Sequence, residues 1–280
     1  MPAMSRISAI ASHRVQQGKK LLIPYLVAGD PDLPTTLILM RELVQQGADI
    51  IELGIPFSDP ASDGPVIQRG IERALDGGTT LSDTLALVAQ FRQGDAGTGI
   101  VLMGYLNPIE IMGYGQFVAA ATEAGIDGVL VVDMPPAESA ELRQTLHEAN
   151  LDTIYLVAPT TSAIRAKAIT EVCSGYLYYV SLKGVTGAAL TDHESVASSI
   201  NELRQLTDLP IVIGFGIKDA DSAAAMGGLS DGIIIGSALV ERIADMSPGK
   251  VNEPDLVRSC EVIGAARAAL DGLQEDKAAS

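Results

Sequence analysis

Eight short apolar runs rich in β-branched residues, at 21–28, 48–55, 99–103, 128–133, 153–158, 176–181, 210–215 and 232–236, constrain this chain more than anything else in it. They read as strands buried on both faces, as in a parallel sheet. Segments of helical spacing separate them, for example Leu37, Met40, Leu43 and Val44 ahead of Gly47, where a helix C-cap belongs. Ser162 makes an N-cap ahead of Ile164, and Gly125 and Gly175 mark two further helix-to-strand turns. Successive strands start roughly 22 to 34 residues apart, which suits a strand, a loop and a returning helix. The expectation is an α/β fold, a TIM (β/α)8 barrel in one domain spanning 1–280, a length usual for such barrels.

One interval breaks the rhythm. Between the second and third runs the chain spends about fifty residues, room for an extra short helix over 65–75 and a long loop, and long loops inside compact domains are usually functional. Another short helix is expected over 237–245, a last one through Leu256, Cys260 and Ile263, and a disordered tail at 275–280.

The 19 Lys and Arg against 35 Asp and Glu give a formal charge of −16, which repels nucleic acid and anionic membrane surfaces. An anionic metabolite then needs local positive potential from backbone N–H groups or a helix N-terminus. Cys173 and Cys260 lie far apart without metal-ligand spacing, and His13, His147 and His193 fall outside the strand ends, so no metal centre is expected. No export signal or membrane-spanning run is read, and a cytoplasmic protein is expected.

Barrel chemistry gathers where strands meet the loops at their C-terminal ends. Glu52 sits near the end of the second run and Asp63 in the loop that follows, so both would face one place. Glu52 reads either as an acid/base group or as a buried structural acid, and Asp63 as its companion or as an Asx-turn residue. Gly214-Phe215-Gly216 after the seventh strand and Gly236-Ser237 after the eighth could let backbone amides approach a phosphate, with Gly184-Val185-Thr186-Gly187 closing the ring; otherwise they only serve tight turns. Tyr176 and Tyr178 share a strand face, and one of them either reaches the site or packs in the core. Asp133 either touches a ligand or caps the Pro135-Pro136 turn, and Lys183 is a rival Schiff-base nucleophile.

The run Glu52-Leu53-Gly54-Ile55-Pro56-Phe57-Ser58-Asp59-Pro60 with Asp63-Gly64-Pro65 resembles the alpha subunit family of tryptophan synthase over nearly the whole chain. Ala28-Gly29-Asp30-Pro31, Leu102-Met103-Gly104-Tyr105 with Asn107-Pro108, Gly184-Val185-Thr186-Gly187, Gly214-Phe215-Gly216-Ile217 and Gly236-Ser237-Ala238 extend the match. The resemblance implies retro-aldol cleavage of indole-3-glycerol phosphate to indole and glyceraldehyde 3-phosphate, without a cofactor in this subunit. Glu52 would be the acid/base carboxylate, Asp63 the acceptor of the indole N–H, and Tyr178 a tyrosine near the glutamate. Gly187, Gly216, Gly236 and Ser237 would cradle phosphate, and Met103, Asp133 and Phe215 would line the substrate pocket. Asp59 and Thr186 would belong to loops that close over the site and meet a pyridoxal-phosphate beta subunit in an α2β2 complex. Where many members carry Leu-Ala in the loop after the second strand, this chain has Ala61-Ser62.

Two rival functions stay open from the sequence. One is a Schiff-base aldolase using Lys183; the other is a barrel without turnover that binds or regulates.

Overall fold

The structure is a computed structural model that describes residues 4–181, 193–214 and 216–278. Strands β1 (Leu21–Val27), β2 (Ile50–Gly54), β3 (Gly99–Gly104), β4 (Gly128–Val131), β5 (Asp152–Thr153), β6 (Tyr155–Val157), β7 (Leu177–Val180), β8 (Ile211–Gly214) and β9 (Gly232–Ile235) pair in parallel, in the order β5-β4-β3-β2-β1-β9-β8-β7-β6. The two ends of that order are consecutive in the chain and meet at Ile154, whose N–H reaches Val129 O at 3.0 Å. The sheet therefore closes into a barrel of eight strands, the fifth of which pairs first with β4 and then with β7. The expected single run 153–158 is thus divided. At its start Ser174 Oγ, not a backbone carbonyl, accepts the Thr153 N–H. Strand four is also shorter than expected, ending at Val131, with Asp133 in the turn beyond it.

Alternation along the strands sorts side chains into two cores. Ile23, Tyr25, Ile50, Val101, Ile154 and Tyr176 belong to the cluster inside the barrel, while Leu22, Leu26, Ile51, Leu53, Leu177 and Ile213 face the surrounding helices. Helix α1 (Arg6–Gln16) adds Ile7 and Ala11 to the inner cluster.

The outer helices are α2 (Leu33–Gln45), α3 (Pro65–Asp76), α4 (Leu81–Arg92), α5 (Leu106–Met112), α6 (Tyr114–Ala124), α7 (Ala140–Glu148), α8 (Ala163–Thr170), α9 (His193–Leu203), α10 (Ala220–Leu229), α11 (Ser237–Ile243) and α12 (Glu253–Ala278). The two expected extra helices are α3 and α11. The Ser162 hydroxyl accepts from Arg165 N–H as an N-cap should. Gly47, at φ +94°, lets Ala48 N–H reach back to Leu43 O at 3.0 Å and close α2.

At the N-terminal end of the barrel one device recurs on alternate strands. Asp49, just ahead of β2, accepts the Leu22 N–H of β1 at 3.0 Å; Asp127 ahead of β4 accepts Ile100 N–H of β3 at 2.8 Å; Asp231 ahead of β9 accepts Ile211 N–H of β8 at 3.0 Å. Ser174 ahead of β7 does the same for Thr153 of β5. Arginines hold the acids in turn: Arg14 and Arg267 on Asp49, Arg92 and Arg6 on Asp127, Arg204 on Asp231. These side chains lock neighbouring strands in register at the end opposite the loops that carry Asp63 and Gly216.

Candidate active site

Glu52 lies on β2, in register with Tyr25 on β1 and Val101 on β3, and its side chain turns into the barrel among apolar neighbours. It is 0% exposed. Tyr176 Oη donates to Glu52 Oε1 at 2.5 Å, while Oε2 is buried with no hydrogen-bond partner among the described residues. Burial raises the carboxyl from 4.5 to about 7, against the smaller opposing effect of the Tyr176 hydrogen bond. A buried acid poised at neutrality with one oxygen unengaged is equipped to give and take a proton.

Asp63 reaches the same place from the loop between β2 and α3. Its Oδ2 accepts from Tyr105 Oη at 2.6 Å, Tyr105 Oη accepts from Ser62 N–H at 2.9 Å, and Gln68 Nε2 donates to Asp63 O at 2.8 Å. The loop is held from the end of β3 and from the first turn of α3, and Phe57 packs on Tyr105 with ring centroids 5.3 Å apart. Half-burial raises the Asp63 carboxyl, with the Tyr105 hydrogen bond opposing. The two acids act on the same hydroxyls: both push up the Tyr25 and Tyr178 protons, behind burial as the larger cause.

Among the described residues, four tyrosines thus surround the acid pair: Tyr25, Tyr105, Tyr176 and Tyr178. Strand glycines make room for two of them. A Cβ on Gly54 would overlap the Tyr25 hydroxyl, and one on Gly214 would overlap that of Tyr178. Tyr178 is where the alternation puts it, inside the barrel, but the hydrogen bond to Glu52 comes from Tyr176. Sequence reasoning gave no role to Tyr25 or Tyr105, because an aromatic on an apolar strand or at its end reads as packing. The signal available was the period of two, which sends Tyr25 to the same face as its neighbours Ile23 and Val27.

Met103 is half-buried against the inner cluster. Asp133 is exposed, and its Oδ1 accepts the Leu106 N–H at the start of α5 at 2.8 Å. It therefore ties the turn after β4 to the start of α5 rather than capping the Pro135-Pro136 turn. Asp59 is exposed in the β2–α3 loop and accepts from Ser58 Oγ at 2.6 Å. Gly216, at φ +77° in open space, follows β8, and Gly236 is the N-cap of α11, whose first N–H groups, from exposed Ser237 onward, receive no side-chain cap. Thr186, Gly187, Lys183 and Phe215 lie outside the described residues. His13, His147 and His193 are all exposed, and no metal-binding cluster occurs among the described residues. Nor is any described helix long and apolar enough to cross a membrane.

Fold and site together define a closed (β/α)8 barrel with one buried and one half-buried carboxyl toward the C-terminal ends of its strands and glycine-bearing turns after the last two. The family model described as "Tryptophan synthase alpha chain" matches residues 11–267. A relative of that name from Marinobacter nauticus is 51% identical over 272 residues, 96% of this chain and 99% of its own, and one from Alkalilimnicola ehrlichii is 48% identical over 275 residues, 98% and 100%. The crystal structure of tryptophan synthase subunit alpha from Legionella pneumophila superposes with a TM-score of 0.88 at 41% identity, covering 96% of this chain and 100% of that one. A chain from the aminoacrylate-bound tryptophan synthase of M. tuberculosis gives 0.84 at 32%, covering 95% and 99%. The chain belongs to the tryptophan synthase alpha chain family.

Proposed function

We propose that this chain is a carbon–carbon lyase that cleaves indole-3-glycerol phosphate into indole and glyceraldehyde 3-phosphate, as a step of tryptophan biosynthesis. The observation that carries the reading is the buried Glu52 carboxyl near neutrality with Oε2 unengaged.

Bond cleavage needs one proton delivered and one removed. Protonated Glu52 gives its proton to the indole ring carbon that bears the side chain, which turns the ring into a cation with charge on its nitrogen. The resulting carboxylate then takes the proton of the adjacent side-chain hydroxyl. That carbon becomes the aldehyde, the carbon–carbon bond breaks, its electron pair returns to the ring, and Glu52 ends protonated as it began. One group near neutrality serves both steps, as neither an ordinary carboxyl nor a strong base could. Asp63, with Oδ2 already engaged by Tyr105, accepts the indole N–H on its other oxygen and stabilises the ring cation.

For the phosphate, Gly216 supplies backbone open to approach, and the free N–H groups of Gly236 and Ser237 at α11 supply positive potential on an otherwise acidic protein. Gly187 completes this cradle, Met103 and Phe215 flank the indole, and the segments of Asp59 and Thr186 close over bound substrate. Tyr178 borders the reacting carbon beside Glu52. These transfers need no cofactor in this chain. Its partner is a beta subunit carrying pyridoxal phosphate, in an α2β2 complex that receives the indole.

The test is an assay of purified protein with indole-3-glycerol phosphate, alone and with a beta subunit, reading indole and glyceraldehyde 3-phosphate. Equimolar products, formed faster with the partner, are expected. Tight substrate binding without either product would point to a binding subunit, and borohydride trapping of a covalent adduct would point to imine chemistry instead.

A further inference from the structure

Tyr25 lies on β1, between β9 on one side and β2 on the other. Its ring borders Gly236: a Cβ there would stand 3.5 Å from Tyr25 Cδ1. Its hydroxyl lies against Gly54, one strand over and two residues beyond Glu52. The side chain thus spans the distance from the turn assigned to phosphate to the carboxylates, under the stretch where the three-carbon chain of the substrate must lie.

The hydroxyls of Tyr105 and Tyr176 are each committed to a carboxylate. That of Tyr25 makes no hydrogen bond with any described residue, although the side chain is only 6% exposed. The small exposure that remains leaves this hydroxyl, able to donate and accept, open to a ligand. Burial, with Asp63 and Glu52 nearby, keeps the Tyr25 proton firmly in place, so it acts as a donor. The acids at one end and the amides at the other leave the hydroxyls of the glycerol chain as the acceptors between them.

We propose that Tyr25 determines specificity at this site by donating a hydrogen bond to a hydroxyl of the substrate's glycerol chain. This rests on the lyase reading above, and it adds a third recognition point to the phosphate cradle and the acid pair. A phenylalanine would fill the same volume without distinguishing a glycerol chain from a propyl one.

The experiment compares wild type with Tyr25→Phe on two probes, glycerol 3-phosphate and n-propyl phosphate, by titration, and on indole-3-glycerol phosphate by turnover. The expected result is about a tenfold loss of affinity for glycerol 3-phosphate, affinity for n-propyl phosphate within about twofold of wild type, and about a tenfold loss of kcat/KM. Equal losses on both phosphates, no loss on either, or no binding of either would overturn the assignment. Because the titrations do not depend on turnover, a wild type that binds the two phosphates yet releases no indole would defeat the lyase reading while leaving the Tyr25 assignment to be judged on the affinity ratio.

Discussion

At Glu52 burial and one hydrogen bond pull in opposite directions, and burial wins. The consequence reaches beyond catalysis, because a carboxyl at 4.5 in the unfolded chain and about 7 in the fold binds its proton more tightly when folded. Between those values the folded state holds more protons, so its stability falls as pH rises. Glu52→Gln keeps an acceptor for Tyr176 and removes the titration. The variant should gain on wild type by about 3 kcal/mol between pH 4 and pH 8. Urea unfolding of both proteins at the two pH values measures this, and a difference independent of pH would mean that Glu52 ionises freely. Asp63 is less buried and shares its charge with Tyr105, and in the proposed mechanism it stabilises the ring cation more than it binds substrate. Asp63→Asn should lower kcat for indole release by about 10²-fold while changing glycerol 3-phosphate affinity less than about threefold. Comparable losses in both would make Asp63 a residue that merely folds its loop.

At the scale of elements, the strands are held in register at one end by acids that accept a neighbouring strand's N–H and at the other by loops that carry the chemistry. Asp127 receives Ile100 N–H, Arg92 and Arg6 at once, and Arg92 itself is largely buried. Asp127→Ala leaves that guanidinium and amide without their acceptor. A loss of about 3 kcal/mol in unfolding free energy is expected, measurable by chemical denaturation, with Glu52 chemistry unaffected in the protein that remains folded. A change below about 0.5 kcal/mol would show that the arginines find other partners. The barrel itself was legible because strands buried on both faces must be apolar throughout, and few other folds repeat that pattern eight times. The division of the fifth strand was not, since it depends on Ser174 replacing a backbone acceptor across the sheet. Helices α1 and α5 also escaped: α1 is mostly polar, and α5 has seven residues and a proline. Glu52 and Asp63 stood out as acids in apolar and Pro/Gly-framed surroundings. Tyr176 and Tyr178 were indistinguishable by alternation, and only the position of β7 relative to β2 separates the tyrosine that bonds Glu52 from the one that lies beside Gly214.

Over the whole molecule, a net charge of −16 sets the problem that the barrel end has to solve, namely holding an anionic substrate next to two carboxyls. Burial addresses part of it, since a protonated Glu52 adds no charge at the moment the phosphate arrives. In the proposed cradle, backbone N–H groups after β8 and β9 address the rest. The proposed catalysis then turns on a single proton held by Glu52 and exchanged twice in each turnover. Its most direct test is indole release from indole-3-glycerol phosphate by wild type and by Glu52→Gln, both checked for folding by circular dichroism. The expected result is a loss of at least ~10²-fold in kcat with the substrate still bound. Turnover by the glutamine variant at the wild-type rate would contradict it.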